Sequence, residues 1–174
     1  MNATQRKKMK MTIRQATISD LETITAIYNQ AIQSGRSTGD TELQKPADKL
    51  VWFQNHANEQ FPLLVAEWKN KVVGWLSLSP YREGRGAFRF AAEVSYFIDS
   101  HFHRKGVTTA LLEKAEFYCR SKGTNTLVAF LLAHNKPSIA LLKKFGFSLW
   151  GTLPKIANIK GIEYDHVFYG RRLF

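Results

Sequence analysis

The spacing of apolar positions changes period several times along the chain, and each change marks an element. Met11 to Thr17 has the alternating, β-branched character of a short strand. Ser19 to Glu22 (SDLE) reads as a capping box, after which Leu21, Ile24, Tyr28, Ala31 and Ile32 recur at helical spacing to about Ser34. Gly35 to Gln44 is polar and turn-rich, and a shorter helix is expected after Pro46, with Leu50, Phe53 and Ala57 inward. Phe61–Trp68 and Val72–Ser79 are apolar runs separated by Lys69, Asn70 and Lys71, the pattern of an antiparallel hairpin. The loop Pro80 to Ala87 is expected to be exposed and mobile.

From Phe88 to Asp99 the alternation predicts one long strand, with Phe88, Phe90, Ala92, Val94, Tyr96 and Ile98 on one face. Arg89, Ala91, Glu93, Ser95 and Phe97 take the other, so a carboxylate stands at mid-strand. A helix is predicted from about Gly106 to Ser121, packed through Leu111, Leu112, Ala115, Tyr118 and Cys119. Leu127 to Leu132 reads as a strand buried on both faces, and Asn135 as the cap of a helix that Gly146 stops. Phe147–Leu153 and Glu163–Leu173 supply the last strands. The order β, α, α, three β, α, β, α, β, β implies an α/β fold in which helices flank a mixed sheet.

Composition narrows the class. A chain of 174 residues, 44% hydrophobic, with 12 Phe, 6 Tyr and 4 Trp, fills one core and is not a disordered polymer. A single domain over 11–174 behind a flexible basic leader at 1–10 is expected. The longest apolar stretches run about eight residues, short of the roughly 20 that cross a bilayer. No apolar segment follows the basic cluster of MNATQRKKMK, so no secretory signal is expected and the cytoplasm is the default location. The lone Cys119 cannot make an intramolecular disulfide. With 25 Lys and Arg against 14 acidic residues, the formal charge of +11 favours anionic partners. Four of the positives lie in the leader and the rest are dispersed, so no nucleic-acid stripe is expected.

The informative join is strand, HRKGVTT, helix. A glycine at a strand-to-helix turn lets backbone N–H groups and the helix dipole face an anion, and Arg104 and Lys105 add charge there. Neither GxxxxGK[ST] nor GxGxxG occurs. The His101/His103 pair has no third ligand near it in sequence, so no metal site is expected.

With His103-Arg104-Lys105-Gly106-Val107-Thr108 at this junction, the chain resembles the GNAT superfamily of acetyl-CoA-dependent N-acetyltransferases, whose pyrophosphate loop reads Q/R-x-x-G-x-G/A. It is most similar to the phosphinothricin and methionine sulfoximine acetyltransferase branch. IRQAT-x-x-D-L, LVAE, Arg85, AAEVSYFI, NKPS-x-x-L-x-x-x-F-G-F and G-x-x-x-D-x-x-F follow in that family's order from Thr12 to Leu173. His103 and Thr108 depart from its loop pattern.

The resemblance implies a single GNAT-like domain with a twisted, mostly antiparallel mixed sheet, about four helices and two splayed central strands. Acetyl-CoA is the implied co-substrate. Its implied contacts are Phe97 and Ile98 on the free strand edge, His103 to Thr109 (Arg104, Lys105, Gly106, Val107 and Thr108 between them), and Asn135 and Ser138. Glu93, 13 residues before Gly106 as in that branch, is the implied base, since an ammonium must lose a proton before it attacks. Leu142 stands where relatives carry an acidic Tyr or His, leaving Tyr169, His134 and His166 as conceivable substitutes. Arg85 matches the arginine that holds an amino-acid carboxylate in that branch, and Arg89 is a second candidate. Glu83, where some relatives are basic, keeps a polyamine or protein N-terminus open as acceptor, beside a non-catalytic CoA-binding protein. The implied partners are a small-molecule amine and a second copy of the chain, with neither nucleic acid nor membrane.

Overall fold

A computed structural model describes residues 11–56 and 60–174; the basic leader and Ala57 lie outside the described residues. One seven-stranded sheet runs through the molecule. Its strands are β1 (Met11–Gln15), β2 (Leu63–Trp68), β3 (Lys71–Pro80), β4 (Ala91–Ile98), β5 (Thr126–Leu132), β6 (Ser148–Ile159) and β7 (Ile162–Arg172). They lie in the order β1-β2-β3-β4-β5-β7-β6, antiparallel throughout except for β4 beside β5. The helices are α1 (Leu21–Ser34), α2 (Leu50–Asn55), α3 (Val107–Ser121) and α4 (Lys136–Lys144).

The central strands are apolar on both sides because each face of the sheet carries helices. Leu64, Ala66, Leu76, Leu78, Ala92 and Val94 pack with Leu111, Leu112 and Ala115 of α3 and Leu142 of α4. On the other face Leu63, Val65, Val72 and Trp75 pack with Ile24, Ile27 and Tyr28 of α1 and Phe53 of α2. The β2–β3 hairpin closes through Lys69 and Asn70, both left-handed (φ 49° and 61°), the backbone of a two-residue turn matched to the twist of its strands.

Four expectations are corrected. The α1 entry is capped two residues earlier than SDLE suggests. A 3₁₀ turn at Ile18–Asp20 precedes the helix, and the Asp20 carboxylate accepts from the Thr17 N–H (2.8 Å) and Thr17 hydroxyl (3.1 Å). Asp20 can hold this post because the Arg14 guanidinium bonds both its oxygens, at 2.7 and 3.0 Å. Leu50 faces solvent (38% exposed) while Phe53 is buried, since Leu50 opens α2 outside the aromatic packing.

The strand expected from Phe88 begins at Ala91. Gly86–Phe88 forms a 3₁₀ turn instead, closed by the Phe88 N–H on the Arg85 carbonyl (2.9 Å), and Phe88 and Phe90 are 42% and 45% exposed. Alternation alone mimicked a strand that the turn interrupts. Lastly, β6 continues past Leu153 to Ile159, with a register shift between Leu153 and Ala157 that accommodates Pro154.

Candidate active site

The parallel pairing of β4 with β5 covers only Ala91, Ala92 and Glu93, opposite Thr126, Leu127 and Val128. Beyond Glu93 the strands separate. Val94 to Ile98 stay bonded to β3 on one side and leave the edge toward β5 unpaired in the ladder. Buried backbone groups seek partners, so this wedge suits an extended ligand that carries its own amides.

The α3 N-terminus stands past the open end of β4. Arg104 and Gly106 are both left-handed (φ 61° and 80°), which turns the chain so that the first intrahelical bond is Ala110 N–H to Gly106 O at 3.1 Å. The amides of Val107, Thr108 and Thr109 precede that bond, and Arg104 and Lys105 are exposed beside them. The Val107 side chain is core (2% exposed), leaving only its amide to a ligand. His103 turns back instead of joining this seat: its Nε2 donates to the Ile98 carbonyl at 3.1 Å, occupying one acceptor of the free edge.

Gly74 of β3 lets this corner close. A Cβ there would lie 2.6 Å from Ile98 Cδ1, 3.0 Å from Val107 Cγ1 and 3.3 Å from the Phe97 carbonyl. Across the wedge, Asn135 is buried and its Oδ1 accepts from the Ser138 N–H (3.4 Å), capping α4. The Tyr96 hydroxyl is buried and its O–H finds no acceptor among the described residues, the Ser138 hydroxyl being the neighbour that acts on its oxygen. Burial pushes its pKa up to about 12, so it is a neutral donor beside the wedge. Three bare helix amides, two cations, an open strand edge and this unspent donor together fit a phosphorylated cofactor with an amide-bearing arm. The sequence placed Tyr96 on the face of β4 opposite Glu93 but gave no sign that its hydroxyl is unspent.

Glu93 lies where the splay begins, opposite Ser79 of β3 on one side and Val128 of β5 on the other. It opens on a cavity of about 250 Å³, walled by Tyr28, Trp52, Trp75 and Phe97, with Lys49, Ser79 and Ser95 among its polar groups. Burial raises the Glu93 pKa, against a smaller lowering by the Ser95 hydroxyl.

Ser79 is a residue that sequence reasoning missed. His56 Nδ1 lies 2.7 Å from the Trp52 carbonyl, which only accepts, so Nδ1 carries the proton. Burial, joined by the Lys49 charge, lowers the His56 pKa, keeping the ring neutral; Nε2 therefore accepts from the Ser79 hydroxyl at 2.9 Å. The remaining lone pairs of Ser79 are all it offers the cavity. No local motif signals this pair, because the partners are 23 residues apart.

Other candidates lie elsewhere. Arg85 and Arg89 are exposed on the loop before β4 and do not line the Glu93 cavity. Arg89 bonds the Gly86 carbonyl at 3.0 Å with its guanidinium 4.3 Å from the Phe90 ring centre. A second, apolar hollow of about 550 Å³ lies nearby, among Tyr81, Phe88, Phe90, Phe130, Trp150 and Phe168. Leu142 is fully buried, and Tyr169 and Cys119 are core residues. Burial pushes the Cys119 thiol up to about 12, too high for a nucleophile at neutral pH. His134 Nε2 bonds the Gly35 carbonyl at 3.1 Å, and His166 packs against Phe130 and Phe168. His101 bonds Asp99 (2.9 Å), and no group of three metal-ligating side chains occurs among the described residues.

Comparisons with known proteins agree with this geometry. Residues 22–147 match the Acetyltransferase (GNAT) family. The Bacillus subtilis (strain 168) protein YwnH is 43% identical over 164 residues, which cover 94% of this chain and 99% of that protein. The L-methionine sulfoximine/L-methionine sulfone acetyltransferase of Pseudomonas aeruginosa is 30% identical over 161 residues, 92% of this chain and 93% of its own. A GNAT superfamily phosphinothricin acetyltransferase from Sinorhizobium meliloti, solved in complex with AcCoA, superposes with a TM-score of 0.88 at 28% identity, over 94% of this chain and 89% of that one. A splayed parallel pair, a bare helix N-terminus and these matches across almost the whole chain have one source: the chain belongs to the GNAT acetyltransferase family.

Proposed function

We propose that this enzyme transfers the acetyl group of acetyl-CoA to the primary amine of a small molecule, an amino acid or close analogue of the phosphinothricin or methionine sulfone type. The observation that carries the reading is the cavity at Glu93. At about 250 Å³ it is smaller than typical drug-sized pockets, so it suits an acceptor of amino-acid size. The relatives named for phosphinothricin and methionine sulfoximine acetylation support the same class.

Acetyl-CoA supplies the thioester carbonyl that the amine attacks. In this reading the amides of Val107, Thr108 and Thr109, with Arg104 and Lys105, hold its phosphates around Gly106. The free edge at Phe97 and Ile98 pairs with its amide arm, His103 keeping the Ile98 carbonyl. Asn135, Ser138 and the Tyr96 hydroxyl line the other wall.

Glu93 takes a proton from the acceptor ammonium, directly or through water, and Ser79 accepts a second N–H and so aims the nitrogen. A C–N bond forms, the C–S bond breaks, the second proton of the attacking nitrogen passes to solvent, and the departing thiolate takes its proton from solvent, since Leu142 offers none. Transfer is direct, with no enzyme-bound acyl group. Arg85 and Arg89 remain candidates for an acceptor carboxylate only if the loop that bears them moves toward Glu93.

The enzyme is proposed to act in the cytoplasm as a homodimer. Edge strand β6 carries exposed Leu149, Trp150, Leu153 and Ile156, apolar side chains that a second copy would cover. A coenzyme-release assay across phosphinothricin, methionine sulfone, a polyamine and an N-terminal peptide tests the acceptor class. Faster release with the polyamine or peptide than with the amino acids would overturn it.

A further inference from the structure

The Glu93 cavity contains a second charged side chain whose position no motif explains. Lys49 closes a 3₁₀ turn at Pro46–Lys49, and its ammonium is held by aromatic faces, 3.8 Å from the Tyr28 ring centre and 4.9 Å from that of Trp52. Such contacts fix a cation without consuming its N–H donors. Among the described residues no carboxylate forms an ion pair with it. Asp40 is the carboxylate whose charge reaches it, and Asp40 already accepts from the Tyr28 hydroxyl at 2.7 Å. Lys49 is half-buried, and burial lowers its pKa. A desolvated ammonium with donors to spare lines the same small cavity as Glu93.

We infer that Lys49 is the anchor for an anionic group of the acceptor, so that the cavity selects a zwitterion with its amine toward Glu93 and its oxyanion toward Lys49. This rests on the amino-acid reading above and assigns its selectivity to a residue outside the loop arginines. The partner chemistry is a carboxylate or phosphinate oxygen, which an ammonium meets as a point charge. The Ser37 hydroxyl lines the same cavity and can complete the oxyanion's hydrogen bonds, whereas the Thr38 hydroxyl already donates to the Tyr28 oxygen. The arrangement also repels polyamines: a second ammonium on the acceptor would face Lys49 at short range.

The test compares methionine sulfone with the amine left when its carboxylate is removed, in wild type, Lys49→Met, Lys49→Arg and Arg85→Ala, reading kcat and KM for each acceptor and KM for acetyl-CoA. Wild type is expected to prefer the carboxylated acceptor. Lys49→Met should reduce that preference about 10- to 100-fold through the acceptor KM, with acetyl-CoA KM unchanged. Lys49→Arg should retain most of it, and Arg85→Ala should leave it in place. Equal losses on both acceptors in Lys49→Met would assign the residue to cavity shape and overturn the inference. So would disappearance of the preference in Arg85→Ala. A wild-type enzyme that acetylates neither compound would overturn the amino-acid reading itself, whereas one that acetylates both at equal rates would overturn only the anchor.

Discussion

Gly74→Ala tests whether the cofactor corner is closed by close packing of β3 against β4 and α3. The new Cβ meets three neighbours of different stiffness. Ile98 Cδ1, at 2.6 Å, ends a side chain that can rotate away for about 0.5–1.5 kcal/mol. Val107 Cγ1, at 3.0 Å, belongs to a β-branched residue in the first turn of α3, where few rotamers are open. The Phe97 carbonyl at 3.3 Å is backbone of β4 itself. Overpacking of this kind costs about 1–3 kcal/mol, offset by roughly 0.5 kcal/mol from the stiffer unfolded chain, which leaves about 0.5–2.5 kcal/mol. For 174 residues, an unfolding entropy of about 2.1 cal/mol/K per residue turns this into a Tm lower by about 1–7 °C. Relief comes by shifting Ile98 and Val107, the two ends of the proposed cofactor seat. Calorimetry and steady-state kinetics should therefore show the lower Tm with a several-fold rise in acetyl-CoA KM and little change in acceptor KM. A Gly74→Ala enzyme with wild-type Tm and acetyl-CoA KM would refute the close-packed corner.

Gly106→Glu should abolish acetyl-CoA binding by titration calorimetry in a folded protein. No atom lies within 4 Å of the added Cβ, so the effect comes from forcing an L residue to φ 80° and from a like charge at the proposed phosphate seat. Ser79→Ala should raise the acceptor KM about 5- to 10-fold with acetyl-CoA KM unmoved, and Ser79→Thr should restore much of the loss, since a hydroxyl still bonds His56. Asp20→Ala should cost about 2–3 kcal/mol at neutral pH, measured by urea unfolding, as charged hydrogen bonds to Arg14 and the Thr17 amide are lost. Burial raises the Asp20 pKa, but Arg14 and Thr17 outweigh it and the net shift is below the ordinary 3.8. The wild-type advantage is therefore complete above that value and disappears as pH falls through the lower folded pKa.

The layered α/β architecture was legible because period-2 and period-3.6 runs follow one another with clear breaks, and the HRKGVTT junction was legible because a glycine and two cations coincide at a strand-to-helix turn. Glu93 could be placed at mid-strand by alternation even though the strand's start was misread. The turn at Gly86–Phe88 escaped because Phe88 and Phe90 keep strand-like alternation while facing solvent. The Asp20 cap escaped because the partner that stabilises it, Arg14, lies on another element. Ser79 and Lys49 were invisible for a shared reason. Their roles depend on which element faces which across the sheet, through His56 in one case and the Tyr28 and Trp52 rings in the other. Such contacts are tertiary, and no local spacing encodes them.

The most direct test of the account is the pH dependence of Glu93→Gln, measured as kcat/KM for methionine sulfone beside thermal stability of the same samples. The Glu93 pKa is raised above 4.5 by burial, so the wild-type acidic limb should titrate above the ordinary glutamate range, and the alkaline limb should be shallow with Leu142 in place of an acid. Gln keeps the shape and removes the base. The expected loss is about 10²- to 10⁴-fold at neutral pH, shrinking as pH approaches the amine's own ionisation. Because a carboxylate of raised pKa costs the folded state stability as pH rises through it, Glu93→Gln should also melt higher than wild type at neutral pH and alike at low pH. A folded Glu93→Gln enzyme with wild-type kcat/KM at neutral pH would contradict the central claim that this carboxylate readies the amine for attack.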